Sequence, residues 1–312
     1  MVTSLARTVA TLPVPRRTRR VGDRRTARAI HYAMLCPTLL LLLAFLVLPA
    51  LYVGWLSLNT STYGQEARFV GLANYAQLFA DRIFWRAFWN TFFVVNGVVY
   101  AELLLGLGLA LLLSGPVPAK ALIIAVILAP YAITESSGIV MWRYMFEPDV
   151  GIVAQMLGRL GFPQLDWSTN PVETLLLAST IAVWHHLPFT FLILYAALTT
   201  VPKDLLEAAE IDGASEWQQF RLITLRLIMP AILVAVLFRY IFAIRTFAEV
   251  WLLTEGGPAR LSEVLAIYLY REMFRYHQFG MASATGWFML VMSLAIALPY
   301  LRRMYGETMR GA

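Results

Sequence analysis

Thiols are almost absent from this chain of 312 residues, in which Cys36 is the single cysteine. No intramolecular disulfide can form, and no metal site can be assembled from thiolates. Charge is also scarce, at 14% of residues against about 25% in soluble domains. There is no G-x4-G-K-S/T phosphate loop, which excludes a nucleotide site of that type. Gly106-x-Gly108 lacks the third glycine of a dinucleotide turn and sits in the middle of an apolar run, so it reads as a packing feature. No H-E-x-x-H helix signature occurs, and the adjacent His185 and His186 point about 100° apart on a helix, which does not suit a shared metal. No convincing internal repeat is visible. A cleavable signal peptide is not expected, because the apolar stretch 32–58 is too long and lacks a small-residue cleavage site.

What is present in abundance is apolar sequence, 59% of the chain against roughly 45–50% in soluble domains. A hydrocarbon core roughly 30 Å thick takes about 20 apolar residues per helix. By that measure six spans are expected, near 32–57, 88–113, 119–143, 174–198, 230–253 and 279–301. Pro37, Pro49, Pro130, Pro188 and Pro299 lie within or at the edges of these spans. The carbonyls they free must find partners on neighbouring helices, so the spans should be kinked and packed as a bundle. The formal charge of +6 is concentrated in residues 1–30, which hold eight arginines and one acid, Asp23. The rest of the chain has 17 basic and 18 acidic residues. An arginine cluster before a first span marks a cytoplasmic tail more simply than a nucleic-acid surface. On the tail's side of the membrane the loops carry 15 basic residues, against eight on the other side. Both termini and the loop 199–229 are therefore expected in the cytoplasm.

That loop is the most informative stretch. Asp212-Gly213 is a turn signal, since glycine supplies the positive φ that a tight reversal needs. Beyond it Trp217, Phe220, Ile223 and Leu227 recur at steps of three and four, as on an amphipathic helix. Glu207, Ala208, Ala209, Asp212, Gly213, Ala214, Phe220, Ile223, Leu225 and Pro230 fall in register with E-A-A-x2-D-G-A-x5-F-x2-I-x-L-P-x3-P. This resembles the EAA loop of ABC-importer permeases, with Arg226 replacing the first proline. Secondary landmarks follow in the family's order: Phe69-Val70-Gly71-Leu72 with Asn74-Tyr75, then Gly151 and Trp167, then Leu253-Thr254-x-Gly256-Gly257-Pro258. Together the resemblance covers about residues 30–305 and points to the maltose and glycerol-3-phosphate branch.

The resemblance implies an all-α membrane protein, a six-transmembrane-helix type I ABC importer permease bundle with cytoplasmic N- and C-termini. Its expected domains are a basic disordered tail at 1–30, a permease domain at 31–305 and a cytoplasmic end at 306–312. The chain itself would bind no cofactor; ATP and magnesium would sit on a partner. Implied partners are two copies of an ATPase subunit, a second homologous permease, an extracytoplasmic solute-binding protein, a sugar-type substrate and membrane lipid. Glu207, Ala208, Ala209, Asp212, Gly213, Ala214 and Phe220 would couple to the ATPase.

Ionisable residues inside spans are expensive and need one another or a watery cavity. Here they are Glu102, Glu135, His185, His186, Arg239, Arg245 and Glu249. At about 100° per residue Arg239, Phe242, Arg245, Thr246 and Glu249 share one arc of the fifth span. That stripe reads either as a pathway wall or as helix glue through an Arg245–Glu249 pair, and Glu102 has the same two readings. The resemblance places Tyr131, Glu135, His186, Phe189, Phe242, Ala243 and Thr246 at sugar-lining positions. Tyr131 and Phe242 keep the aromatic character that stacks on sugars, whereas the other departures leave the sugar open. Arg239 and Arg245 beside the site would complement an anionic one. Two other classes are weighed: an ion-coupled secondary transporter with Glu135, Glu249 and the histidines as relays, and an intramembrane metal enzyme using His185-His186.

Overall fold

In lipid an apolar run can satisfy its own backbone groups only by coiling, and helices dominate the computed structural model of this protein. It describes residues 34–163 and 165–308, without side chains beyond Arg303; the arginine tail and the last four residues lie outside the described residues. Two compact units divide between Tyr52 and Val53. Helix α1, Met34–Ser57, starts in the first. It widens into a π-turn at Leu43–Val47, where the ring of Pro49 would otherwise meet the Phe45 carbonyl four residues back.

In the second unit a short hairpin pairs β1, Asn59–Thr60, with β2, Arg68–Phe69. The helices that follow are α2, Ala73–Ala80, and α3, Arg82–Ser114, capped by Asp81, whose carboxylate accepts from the Ile83 amide at 2.8 Å. Next come α4, Lys120–Ala132, α5, Glu135–Met145, α6, Ile152–Arg159, and α7, Pro171–Thr199. Then follow α8, Lys203–Ile211, α9, Glu216–Ala243, α10, Ala248–Thr254, α11, Leu265–Tyr270, and α12, Phe279–Thr308. Among the described residues five helices are long and apolar enough to cross a membrane, with the α4–α5 pair as a sixth if it counts as one span.

The most extensive helix contact is α3 on α7. Val95, Val99, Ala110 and Leu113 meet Phe191, Leu194 and Leu198 there, and Ile228, Ile232 and Val236 of α9 complete the core. Gly106 permits the approach: a methyl group at that position would lie 3.1 Å from Thr190 Cγ2 and 3.3 Å from the Phe191 nitrogen. Small residues serve close helix packing in membranes in this way.

Two expected spans need correction. The third, 119–143, is not one straight helix, since α4 and α5 meet at 100°. Pro130 lies in a terminal 3-10 turn, and Ile133 and Thr134 are extended, with ψ of 137° and 142°. The fifth, 230–253, starts earlier and breaks sooner. Upstream residues from Glu216 are already helical with Pro230 inside, whereas residues 244–247 are not regular helix. At the break the Arg245 and Thr246 amides bond three residues back, to Phe242 and Ala243, and Thr246 Oγ1 donates to the Ala243 carbonyl at 2.7 Å. Side-chain competition of this kind loosens a helix.

The connections at the end of α7 away from α8 are tied down by polar groups. Asn74 Nδ2 donates to the Ser57 and Asn59 carbonyls at 2.8 and 2.9 Å, Trp167 Nε1 to the Phe146 carbonyl at 2.8 Å, and Asn90 Nδ2 to the Leu261 and Glu263 carbonyls, both at 2.8 Å. Gly151 faces the Met145 and Glu147 carbonyls with no room for a Cβ. Of the secondary landmarks, Asn74 and Trp167 thus tie loops to neighbouring backbone, and Gly151 lets its loop pass close to the end of α5.

Nearby, fully buried Glu263 is held by Arg260 at 2.6 and 2.7 Å and by Arg271 at 3.4 Å. Burial pushes the Glu272 carboxyl up to about 7; Arg260 opposes this, while Asp81 and Glu263 reinforce it. The folded chain then keeps a proton between about pH 4.5 and 7 that the unfolded chain releases, so stability falls as pH rises through that window. Melting of the purified protein at pH 5 and pH 8 should show this loss. Glu272→Gln should flatten the profile, and an unchanged slope in that variant would remove Glu272 as its source.

Candidate functional site

The α4–α5 bend, α7 and the break after α9 enclose a cavity of about 580 Å³. The bend contributes Tyr131 and Glu135, the latter in the first turn of α5, where the helix dipole favours a carboxylate. Helix α7 contributes His186 and Phe189, and the end of α9 contributes Arg239, Phe242 and Ala243. The break supplies Arg245 and Thr246, and α10 turns Glu249 inward. Thus all ten positions expected along a pathway line one cavity, although they come from three stretches of sequence. Ala182, Phe247 and Ala248 also line it and were not foreseen. Ala182 carries no polar signal, and the other two reach the wall because of the break.

Charges in the cavity are not distributed as the continuous stripe suggested. Arg239 binds Glu102 with both Nε and Nη2, the latter at 2.7 Å, and both side chains are buried. Thr190 Oγ1 also approaches Glu102 Oε2, at 3.5 Å. Glu102 is therefore helix glue, joining α3 to α9 beside α7. The Arg245–Glu249 pair does not form among the described ion pairs, because the helix that would space them four residues apart ends at Ala243. Instead the Arg245 guanidinium lies 5.6 Å from the Phe242 ring centre, within cation–π range. Glu249 is 4% exposed, and its Oε2 has no hydrogen-bond partner. Glu135, His186 and Glu249 each bring one ligand atom within 4.8 Å of the others.

The second group of expected residues forms a turn beyond α7. Glu207, Ala208 and Ala209 lie on α8, and Gly213 is left-handed with φ of 78°. The Ala214 amide bonds the Ala209 carbonyl at 2.9 Å, and the Gly213 amide bonds that of Glu210 at 3.0 Å. Together they make a Schellman cap, with Asp212 at the helix end. Ser215 then caps α9 reciprocally with Gln218. Glu207, Ala208, Asp212 and Gly213 are exposed, Ala209, Ala214 and Phe220 half-buried. Ile211 and Trp217 add an apolar surface, 87% and 66% exposed.

Comparison with known proteins accords with this geometry. The family model of binding-protein-dependent transport system inner membrane components matches residues 8–302. The sulfoquinovosyl glycerol transport system permease protein SmoG of Agrobacterium fabrum is 34% identical, over 90% of this chain and 91% of its own. The trehalose/maltose transport system permease protein MalF of Thermococcus litoralis is 32% identical, over 88% and 92%. A chain in the crystal structure of a bacterial alginate ABC transporter, in complex with alginate pentasaccharide-bound periplasmic protein, shares the fold at a TM-score of 0.78 and 24% identity, covering 90% of this chain and 96% of that one. This chain therefore belongs to the binding-protein-dependent transport system inner membrane components, the multi-pass permeases of ABC importers.

Proposed function

We propose that this permease carries a sugar or sugar derivative through the cavity at the α9 break, driven by an ATPase on a separate chain. The observation that carries the reading is the convergence of Tyr131, Phe189 and Phe242 with His186, Thr246 and the charged groups around one opening. Aromatic faces stack on sugar rings, while polar groups take hydroxyls. The sugar-transport names of the relatives support the substrate class. In this reading residues 203–229 face the cytoplasm and dock on an ATPase subunit, of which the complex holds two copies with their ATP and magnesium. A second permease and an extracytoplasmic binding protein complete the complex. Closure of the ATPases pulls on α8 and the start of α9, the cavity opens outward, and sugar enters from the binding protein. The chain performs no covalent chemistry. Its family membership leaves the ion-coupled alternative without support.

Gentle detergent capture of this chain from its native membrane, with mass spectrometry of the co-purifying proteins, tests the proposal. An ATPase and a sister permease are expected, with ATP-dependent sugar uptake after reconstitution. Recovery of the chain alone, with uptake independent of ATP, would overturn it.

A further inference from the structure

The cavity wall has a surplus of negative charge. Arg239 is already bound by Glu102, which leaves Arg245 against two carboxylates, Glu135 and Glu249. Arg245 forms no ion pair among the described residues. Glu249 is buried with an oxygen that nothing satisfies, and Glu135 and His186 point ligand atoms at the same spot. Two carboxylates this close, in a site of low polarity, repel unless a proton or a cation comes between them.

We propose that Glu135, His186 and Glu249 receive an ammonium group of the cargo, so that the substrate is an amino sugar with a free amine; this rests on the cavity being the substrate site. The spacing has room for an ammonium group. Acceptors arranged tetrahedrally around an ammonium nitrogen, at about 2.8 Å from it, lie about 4.6 Å apart, which suits a cluster spread within 4.8 Å. An ammonium has three donors, and the corner has three acceptors when His186 is neutral. Tyr131, nearly half exposed, remains available to cover the sugar ring.

The test uses the intact complex with its ATPase and binding protein in proteoliposomes, with a glucosamine disaccharide, its N-acetylated counterpart and trehalose as probes. The glucosamine disaccharide should be imported fastest. Glu249→Gln and, separately, Glu135→Gln should each reduce its uptake about tenfold or more, the scale of one charge-assisted hydrogen bond, without changing complex recovery. Glu135 is exposed in the cavity, so its variant keeps the test valid if Glu249→Gln assembles poorly. ATP-dependent uptake of trehalose in preference to the amine, indifferent to both variants, would overturn the ammonium assignment and leave the importer reading intact. Stoichiometric retention of zinc or manganese, with uptake sensitive to chelators, would assign the corner to a metal and also overturn it. Failure of ATP to drive uptake of any sugar would overturn both readings.

Discussion

Arg239→Ala should destabilise the membrane domain by about 3–5 kcal/mol, because it leaves Glu102 buried without its partner. The carboxylate of Glu102 is fully buried, and its remaining contact is the long one from Thr190. Neutral hydroxyls do not replace a guanidinium that contributes two hydrogen bonds. In detergent the variant should melt about 10 °C lower, on the usual scaling of stability with melting temperature for a chain of this size. Glu102→Ala should behave alike, with the arginine now the orphan. The double variant Glu102→Leu/Arg239→Met should recover most of the loss, since apolar groups of similar volume remove both desolvation costs. Uptake is the wrong readout here, as Arg239 also borders the cavity. Equal melting of Arg239→Ala and the parent chain would refute the pairing as a structural tie.

That pair also marks the limit of what the sequence made legible. Lone charges in apolar runs announced that partners must exist, and both residues were visible as such. The sequence did not reveal that Glu102 chooses Arg239, 137 positions away, because pairing across helices depends on their relative rotation. The opposite error arose at Arg245 and Glu249: periodicity treated 230–253 as one helix and offered an i,i+4 pair. Thr246 and the bonds three residues back undo that helix, and hydropathy alone does not register such a break. The same averaging hid the bend between α4 and α5, although Pro130 stood at the place. The coupling turn was the most legible part. Its chemistry is local, and Gly213, Ser215 and Gln218 act through neighbours within six residues.

Locality makes Gly213 the sharpest test of the coupling role. Its φ of 78° is closed to proline, whose ring holds φ near about −65°. The Gly213→Pro change also deletes the amide that bonds the Glu210 carbonyl. Together these cost about 3 kcal/mol at the turn, enough to turn α8 away from its present angle to α9. The rest of the structure should be indifferent. Gly213 is exposed, and a methyl group there would meet nothing within 4 Å, so melting of the membrane helices should shift little. If residues 203–229 dock on the ATPase, strain of that size should weaken docking about 100-fold, so the ATPase should be lost from the purified complex and ATP-dependent uptake with it. Gly213→Ala keeps the amide and carries only the left-handed penalty of about 1–2 kcal/mol, so its uptake should fall roughly tenfold with the complex retained. That graded response separates a strained turn from a misfolded chain. Full uptake by Gly213→Pro, with the ATPase still bound, would show that force enters the membrane domain elsewhere.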